Sequence, residues 1–439
     1  MKRVAQRIFR ETLVAIDIAA SIAKTLARNG PCIQAGEGPY DLRDFENILA
    51  IAFGKASFAM AEGLTRVLAP DFQPEGILVV PGKPPRELPG WKTFAGGHPL
   101  PNTASFEAGT VILDRLARCG ERTLIVFLIS GGGSSMVEQP LDRSMTLDDF
   151  AQLHAALVTC GAPIEEINAI RKHVSATKGG RLAAAAPRSR KLTLAISDVP
   201  PGQESALASG PTLPDLTTVS DAERVTSKYN LIEKLPPLLR NAFERHTLRE
   251  TPKPGDPVFA RSNFVVVLGA HELMHAAHHA CEREGYVSVC DNSTDNWPIE
   301  KAADRLLSLL MAQLKAQEDA NPRRPVAVLA DGELSSPVTG NGIGGRNSAF
   351  VLACVPKIAE RNITVLSAGT DGIDGNSPAA GAAADGQTLT RCKDAGLEVG
   401  DFMRRSDAYN FFARLADEVT TGPTGNNLRD LRILLAHHQ

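Results

Sequence analysis

One alternation constrains this chain more than any other feature. Short apolar runs of strand length recur at 48–53, 76–80, 123–129, 192–197, 264–268, 326–329 and 364–367. Most end in turns containing Gly or Asp, and stretches of helical periodicity follow. That rhythm predicts βαβ units, in which parallel strands are covered by helices on both faces. In such sheets functional groups gather where the carboxyl ends of the strands open into loops. The polar, glycine-rich segments of this sequence sit just after the strand-like runs, at the expected place.

With 439 residues, the chain has room for two or three domains of about 150 residues. A break is expected in 246–261, where Pro252, Pro254, Gly255 and Pro257 interrupt any periodicity. The economical architecture is α/β: an N-terminal Rossmann-like domain over 1–250 and a second α/β domain over 251–439. Both sheets are expected to be mostly parallel, with the active-site cleft between the domains. The N-terminal periodicity reads as one helix continuing to Ala27 and ended near Gly30 and Pro31. The sequence does not say which domain it packs on.

Charge and composition exclude several classes of partner. Lys plus Arg total 47 against 50 for Asp plus Glu, so no basic excess calls for nucleic acid. Aromatics are 5%, too few for a base-stacking surface. Seven scattered cysteines without a Cys-x-x-Cys pair argue against a disulfide framework and suit a reducing cytoplasm. No apolar run reaches about 18 residues, so no membrane span is expected.

Six segments carry the chemistry. Ser130, Gly131, Gly132, Gly133, Ser134 and Ser135 follow the 123–129 run. Three glycines let the backbone approach an anion and point N–H groups at it, and Ser134 or Ser135 would cap a helix starting there. A plain strand-to-helix turn is the alternative. Lys55 leaves the end of the 48–53 run one residue past Gly54, where an ammonium can neutralise phosphate or carboxylate. In 168–181, Arg171, Ser175 and Lys178 can share a helix face that binds an anion; a solvated basic face is the bland reading. Asp198 ends the 192–197 run before Pro200 and Pro201, which fix it rigidly enough to act as a base or hold a metal.

The remaining two lie toward the C-terminus. Glu333 follows the 326–329 run, and a loop with Gly340, Gly342, Gly344 and Gly345 leads to Arg346 and Asn347. Three of those glycines match G-x-G-x-x-G. The loop stands about ten residues beyond the strand and lacks the partnering acid, so a phosphate loop with Arg346 is preferred to a dinucleotide fingerprint. Asp371 and Asp374 in a glycine-rich loop after 364–367 can offer oxygens to Mg²⁺. A literal H-E-x-x-H at 271–275 is read as the solvated face of a crossover helix, with His271, His275, His278, His279 and Glu282 outward.

Several blocks in one order resemble the type II glycerate 2-kinases, the family with a C-terminal MOFRL domain, some of whose members carry the name hydroxypyruvate reductase. The blocks are AFGKAS at 52–57, GGHPLPN at 96–102, ISGGGSSM at 129–136, NAIRKHVSATKGGRLA at 168–183, SDVPPGQESALASGPTLPD at 197–215, DGELSSPVTGNGIGGRN at 331–347 and SAGTDGIDGNSPAAGA at 367–382. The resemblance covers about 8–435. It implies a two-domain kinase using ATP and Mg²⁺ to phosphorylate the C2 hydroxyl of D-glycerate. By motif match the catalytic Lys, Asp and Arg fall on Lys55, Asp198 and Arg346. Which glycine loop holds phosphate and which the glycerate carboxylate stays open, as do the ligands among Glu333, Asp371 and Asp374, and so does a homodimer. The rivals are an NAD(P)H-dependent hydroxypyruvate reductase, a non-catalytic phosphosugar-binding regulator and a zinc hydrolase.

Overall fold

The computed structural model describes residues 1–36, 38–318, 324–426 and 428–438. It divides into two compact units: an N-terminal unit, Ile18–Val267, and a C-terminal unit, Leu268–Gln439 together with Met1–Asp17. The Pro-rich 246–261 segment stays with the N-terminal unit because its backbone and side chains are used there. Asp215 N donates to Pro252 O at 2.9 Å, Lys191 N to Arg261 O at 2.8 Å, and Thr251 Oγ1 to Asp215 at 3.0 Å.

The N-terminal unit holds a hairpin, β1 (Cys32–Ala35) and β2 (Gly38–Asp41), and a six-stranded sheet. The sheet strands are β3 (Asn47–Phe53), β4 (Glu75–Pro81), β5 (Trp91–Gly96), β6 (Thr123–Ser130), β7 (Arg190–Ile196) and β8 (Ser262–Leu268), in the order β5-β4-β3-β6-β7-β8. From β5 to β7 every pairing is parallel, as the alternation predicts. β6 is buried along its whole length, which is why it reads as an unbroken apolar run. One face carries Leu49, Ile51, Phe53, Ile125, Phe127 and Ile129 against Ile112 and Leu116 of the helix Thr103–Leu116.

A second apolar cluster is built by helices alone. Phe150, Leu153 and Leu157 of Leu147–Thr159 meet Ile170 of Ile164–Val174, Val225 of Val219–Lys228 and Phe243 of Pro237–Glu244. The expected single N-terminal helix is two, Lys2–Ala15 and Ile18–Leu26. No Pro or Gly breaks it. The halves bury their apolar faces in different units: the first packs on the helix Ala270–Arg283, the second on Ser57–Leu68, where Gly63 lets the backbones approach.

The C-terminal unit adds β9 (Val287–Cys290), β10 (Val326–Asp331), β11 (Ile363–Gly369), β12 (Gly381–Asp385), β13 (Glu418–Val419) and β14 (Asp430–Ala436). Their order is β13-β12-β11-β14-β10-β9. Here the expectation of a mostly parallel sheet is corrected. Only β9 and β10 pair in parallel; β14 runs antiparallel to both β10 and β11, and β12 antiparallel to β11. The connection 370–380 is too short for the helical crossover that a parallel neighbour needs. Among the described residues no helix is long and apolar enough to cross a membrane.

Candidate active site

Register places the N-terminal candidates on one sheet edge. Phe53 pairs with Ile129, and Ser130 with Ile196, so β3, β6 and β7 end side by side. Neighbouring strands lie about 4.8 Å apart. Lys55 leaves β3, the glycine turn leaves β6, and Asp198 leaves β7, each within about two residues of the strand end. The join between β3 and β6 is tight. Lys55 N donates to Gly131 O and Ala56 N to Ser130 Oγ, both at 2.9 Å. Gly54 has φ +115° and stands against the Ser130 carbonyl, where a Cβ would collide.

The turn differs from the expected serine cap. Gly132 is the residue before the short helix Gly133–Met136, in left-handed backbone with φ +79°, and it makes no side-chain cap. Ser135 Oγ donates back to Gly132 O at 3.2 Å, and Ser134 Oγ pairs with Ser209 Oγ at 2.9 Å. The hydroxyls are turned away from the amides because Gly132 closes the turn through its own backbone. A Cβ on Gly132 would lie 2.8 Å from the His98 ring and 3.3 Å from Lys55 Cγ, so the Lys55 stem runs beside the turn. Gly132→Ala is therefore expected to lower stability by about 1–2 kcal/mol. Chemical denaturation reads this out; an unchanged denaturation midpoint would mean the turn relaxes without its glycine.

Beyond the turn lies a pocket. Gly132, Ser134, Ser135, His98, His154, Arg171 and Lys178 give it a polar end, and Pro99, Pro101, Phe150, Leu153 and Leu157 an apolar wall. Arg171 forms no hydrogen bond or ion pair among the described residues, and burial lowers its pKa against the pull of Glu138. Burial, then the charge of Arg171, holds the His154 imidazole below its usual range. An anion entering this end would meet Arg171, a half-buried cation with no hydrogen-bond partner among the described residues. Lys178 is different: it is paired with Glu138, which also accepts from Ser175 Oγ at 2.5 Å, and burial pushes its pKa down despite that partner. Its charge is spent inside the wall. Sequence reasoning missed Glu138, which no motif marks, and gave no role to His98, although it falls within a recognised block.

In the C-terminal unit Arg346 opens the helix Arg346–Cys354. Its Nε donates to Asp430 Oδ2 at 2.5 Å, and its terminal nitrogen meets Glu333 Oε1 at 2.8 Å. Burial alone would lower its pKa, but Asp430 and Glu333 outweigh that and raise it above the ordinary arginine value. The neighbouring glycine loop is not the open phosphate cradle expected. The amides of Asn347 and Ser348 already donate to Asp374, at 2.9 and 2.8 Å, and Gly344 N donates to Asn376 Oδ1 at 2.8 Å. Gly345 N is taken by Ser348 Oγ at 3.2 Å, and the buried Asn347 side chain accepts from Ser367 Oγ at 2.5 Å.

Asp374 thus anchors a helix start. Both its oxygens are engaged and it is 1% exposed, which removes it from the candidate metal ligands. Burial raises its pKa in spite of those bonds. Gly340 and Gly342 pack on Arg405 and Asp407, far from any strand-to-helix turn of the dinucleotide kind. Among the described residues no three His, Cys, Asp or Glu are grouped to hold a metal.

Two family models match stretches of the chain. Residues 4–244 match the domain of unknown function DUF4147, and residues 326–430 match the MOFRL family. A D-glycerate 2-kinase of Thermotoga maritima is 31% identical over 392 residues, 89% of this chain and 91% of that protein. A protein of Agrobacterium vitis carrying the hydroxypyruvate reductase name is 34% identical over 393 residues, 88% of this chain and 98% of its own length. The crystal structure of a glycerate kinase from Thermotoga maritima superposes with a TM-score of 0.84 at 28% identity, covering 99% of each chain. The chain belongs to the type II glycerate 2-kinase family, in which a DUF4147 domain is followed by a MOFRL domain.

Proposed function

We propose that this protein is an ATP-dependent glycerate 2-kinase of the cytoplasm, transferring the γ-phosphoryl group of ATP to the C2 hydroxyl of D-glycerate. The single observation that carries this is the shared edge of β3, β6 and β7, from which Lys55, the glycine turn and Asp198 all leave, the turn opening on a pocket lined by Arg171. Phosphoryl transfer has a loose transition state whose charge spreads over the equatorial oxygens, so positioning and fixed charge do most of the catalysis. In this reading Asp198 orients the acceptor hydroxyl and takes its proton. Lys55 and Arg346 offset the developing negative charge. The turn formed by Gly131, Gly132 and Gly133, with Arg171, receives anionic oxygens of the substrates. The 340–345 loop is dropped from that role, because its amides are occupied.

Mg²⁺ is held by one or two carboxylates plus phosphate oxygens and water, so it does not need a three-acid cluster. Glu333 and Asp371, both oxygen donors and not fully buried, fit that requirement. Bound there, the ion would supply positive charge that offsets the charge of the nucleotide's phosphates.

A coupled ADP-release assay with D-glycerate, L-glycerate and tartronate, with NMR of the product, tests the reading. Release of ADP dependent on D-glycerate, giving the 2-phosphate, is the expected result. A 3-phosphate product would overturn the regiochemistry, and NADH oxidation by hydroxypyruvate without ATP would favour the reductase.

A further inference from the structure

The helix Ala270–Arg283 buries Leu273, Met274, Ala277, Ala280 and Cys281 and turns four histidines outward or to its flank. The order H-E-x-x-H invites pairing of His271 with His275. Their rings instead lie parallel, 6.2 Å between centroids and 7° between planes, and the ring nitrogens do not converge. His275 meets His279, one turn later. Their Nε2 atoms are 3.0 Å apart and the ring planes cross at 78°.

That separation is the length of one imidazole–imidazole hydrogen bond, and it is also the bite of a chelate. Two nitrogens each about 2.0–2.1 Å from a metal lie about 3.3 Å apart at a tetrahedral angle and about 2.9 Å apart at a right angle. A second observation fixes the chemistry of one ligand. His279 Nδ1 is 2.9 Å from Glu282 Oε2. The carboxylate can only accept, so Nδ1 carries the proton and Nε2 presents its lone pair, the second-shell arrangement of metal-binding histidines. Both rings are exposed, leaving room for water in the other coordination positions. His278 has its Nδ1 2.6 Å from Ser288 Oγ and its Nε2 3.5 Å from the other Glu282 oxygen, Oε1.

We propose that His275 and His279 chelate one divalent first-row transition ion of the imidazole-seeking class, Zn²⁺, Ni²⁺ or Cu²⁺, with Glu282 orienting His279. It is a two-point surface chelate and no third residue is recruited, in keeping with the lack of a three-residue cluster among the described residues. It is separate from any Mg²⁺ used with nucleotide, since that ion prefers oxygen donors. Binding to one helical turn of the folded chain stabilises that fold by mass action.

Calorimetric titration of the full chain with Ni²⁺ and with Zn²⁺, in excess Mg²⁺ to fill oxygen sites, tests this. His275→Gln and His279→Gln should each weaken binding at least ~10-fold, and the double variant should lose one equivalent. Glu282→Gln should weaken it by ~10-fold or more, the scale of second-shell losses. His271→Gln should leave it unchanged. Thermal denaturation followed by circular dichroism should show an added Tm rise with Ni²⁺ in the wild type and in His271→Gln but not in the double variant, the metal-free Tm being shared. Equal affinity in the double variant and the wild type, or a loss confined to His271→Gln, would overturn the proposal.

Discussion

Replacing Asp198 with Asn is expected to cut turnover by at least ~100-fold, the lower end of general-base catalysis, with the fold unchanged. The substitution keeps the shape and removes the proton acceptor. Asp198 lies outside β7, so no ladder hydrogen bond of the sheet depends on its carboxylate. Its backbone is set by the chain around it: Ser197 Oγ donates to Val199 O at 3.2 Å, and Pro200 and Pro201 fix the next two φ angles. The effect should fall on kcat more than on KM for D-glycerate, because the proton moves in the transition state. Steady-state kinetics and the denaturation midpoint, measured on the same preparation, separate chemistry from folding. Turnover within a few-fold of the wild type would remove Asp198 from the base role.

How far the sequence reveals this molecule depends on which force fixes each part. All seven apolar runs are strands in the structure, with ends moved by one or two residues; in six of them burial on both faces writes itself as an unbroken apolar segment, while in β8 only Val267 and Leu268 are buried. β12 escaped notice, since its residues Gly381, Ala382, Ala383, Ala384 and Asp385 have no strand preference of their own. It is a strand because β11 and β13 supply its hydrogen bonds. Missing β12, and β14 with it, also made the second sheet seem parallel. The site shows the same split. Lys55, the glycine turn and Asp198 follow recognisable runs and are found at one edge. The fate of the 340–345 loop was not legible, because Gly342 N donates to Arg405 O, Ile343 N to Asp407 and Gly344 N to Asn376, groups some 30 to 60 residues away. A glycine-rich loop that binds an anion and one that binds the protein's own carboxylate have the same composition.

Arg346→Ala is expected to lower turnover by about 10³-fold, the lower end for an arginine that serves a phosphoryl transition state. Arg346→Lys should recover only part of this, because an ammonium keeps the charge and loses the planar fork. The partners of Arg346 make its orientation testable apart from its charge. Asp430 is 3% exposed at the start of β14 and is set in register opposite Gly369 of β11, so the sheet itself fixes the carboxylate that grips Arg346 Nε. Asp430→Asn would leave the guanidinium charged at any working pH, since arginine does not titrate there. It would loosen only the aim of the fork. We therefore expect kcat to drop about tenfold, on the order of one misplaced catalytic group, with KM for ATP and the pH profile little changed. Added guanidinium should partly restore Arg346→Ala and leave Asp430→Asn unaffected, because in the second variant the cation is still in place. Wild-type turnover in Arg346→Ala would end the assignment, whereas equal losses in stability and in kcat for Asp430→Asn would reduce Asp430 to a structural partner of β14.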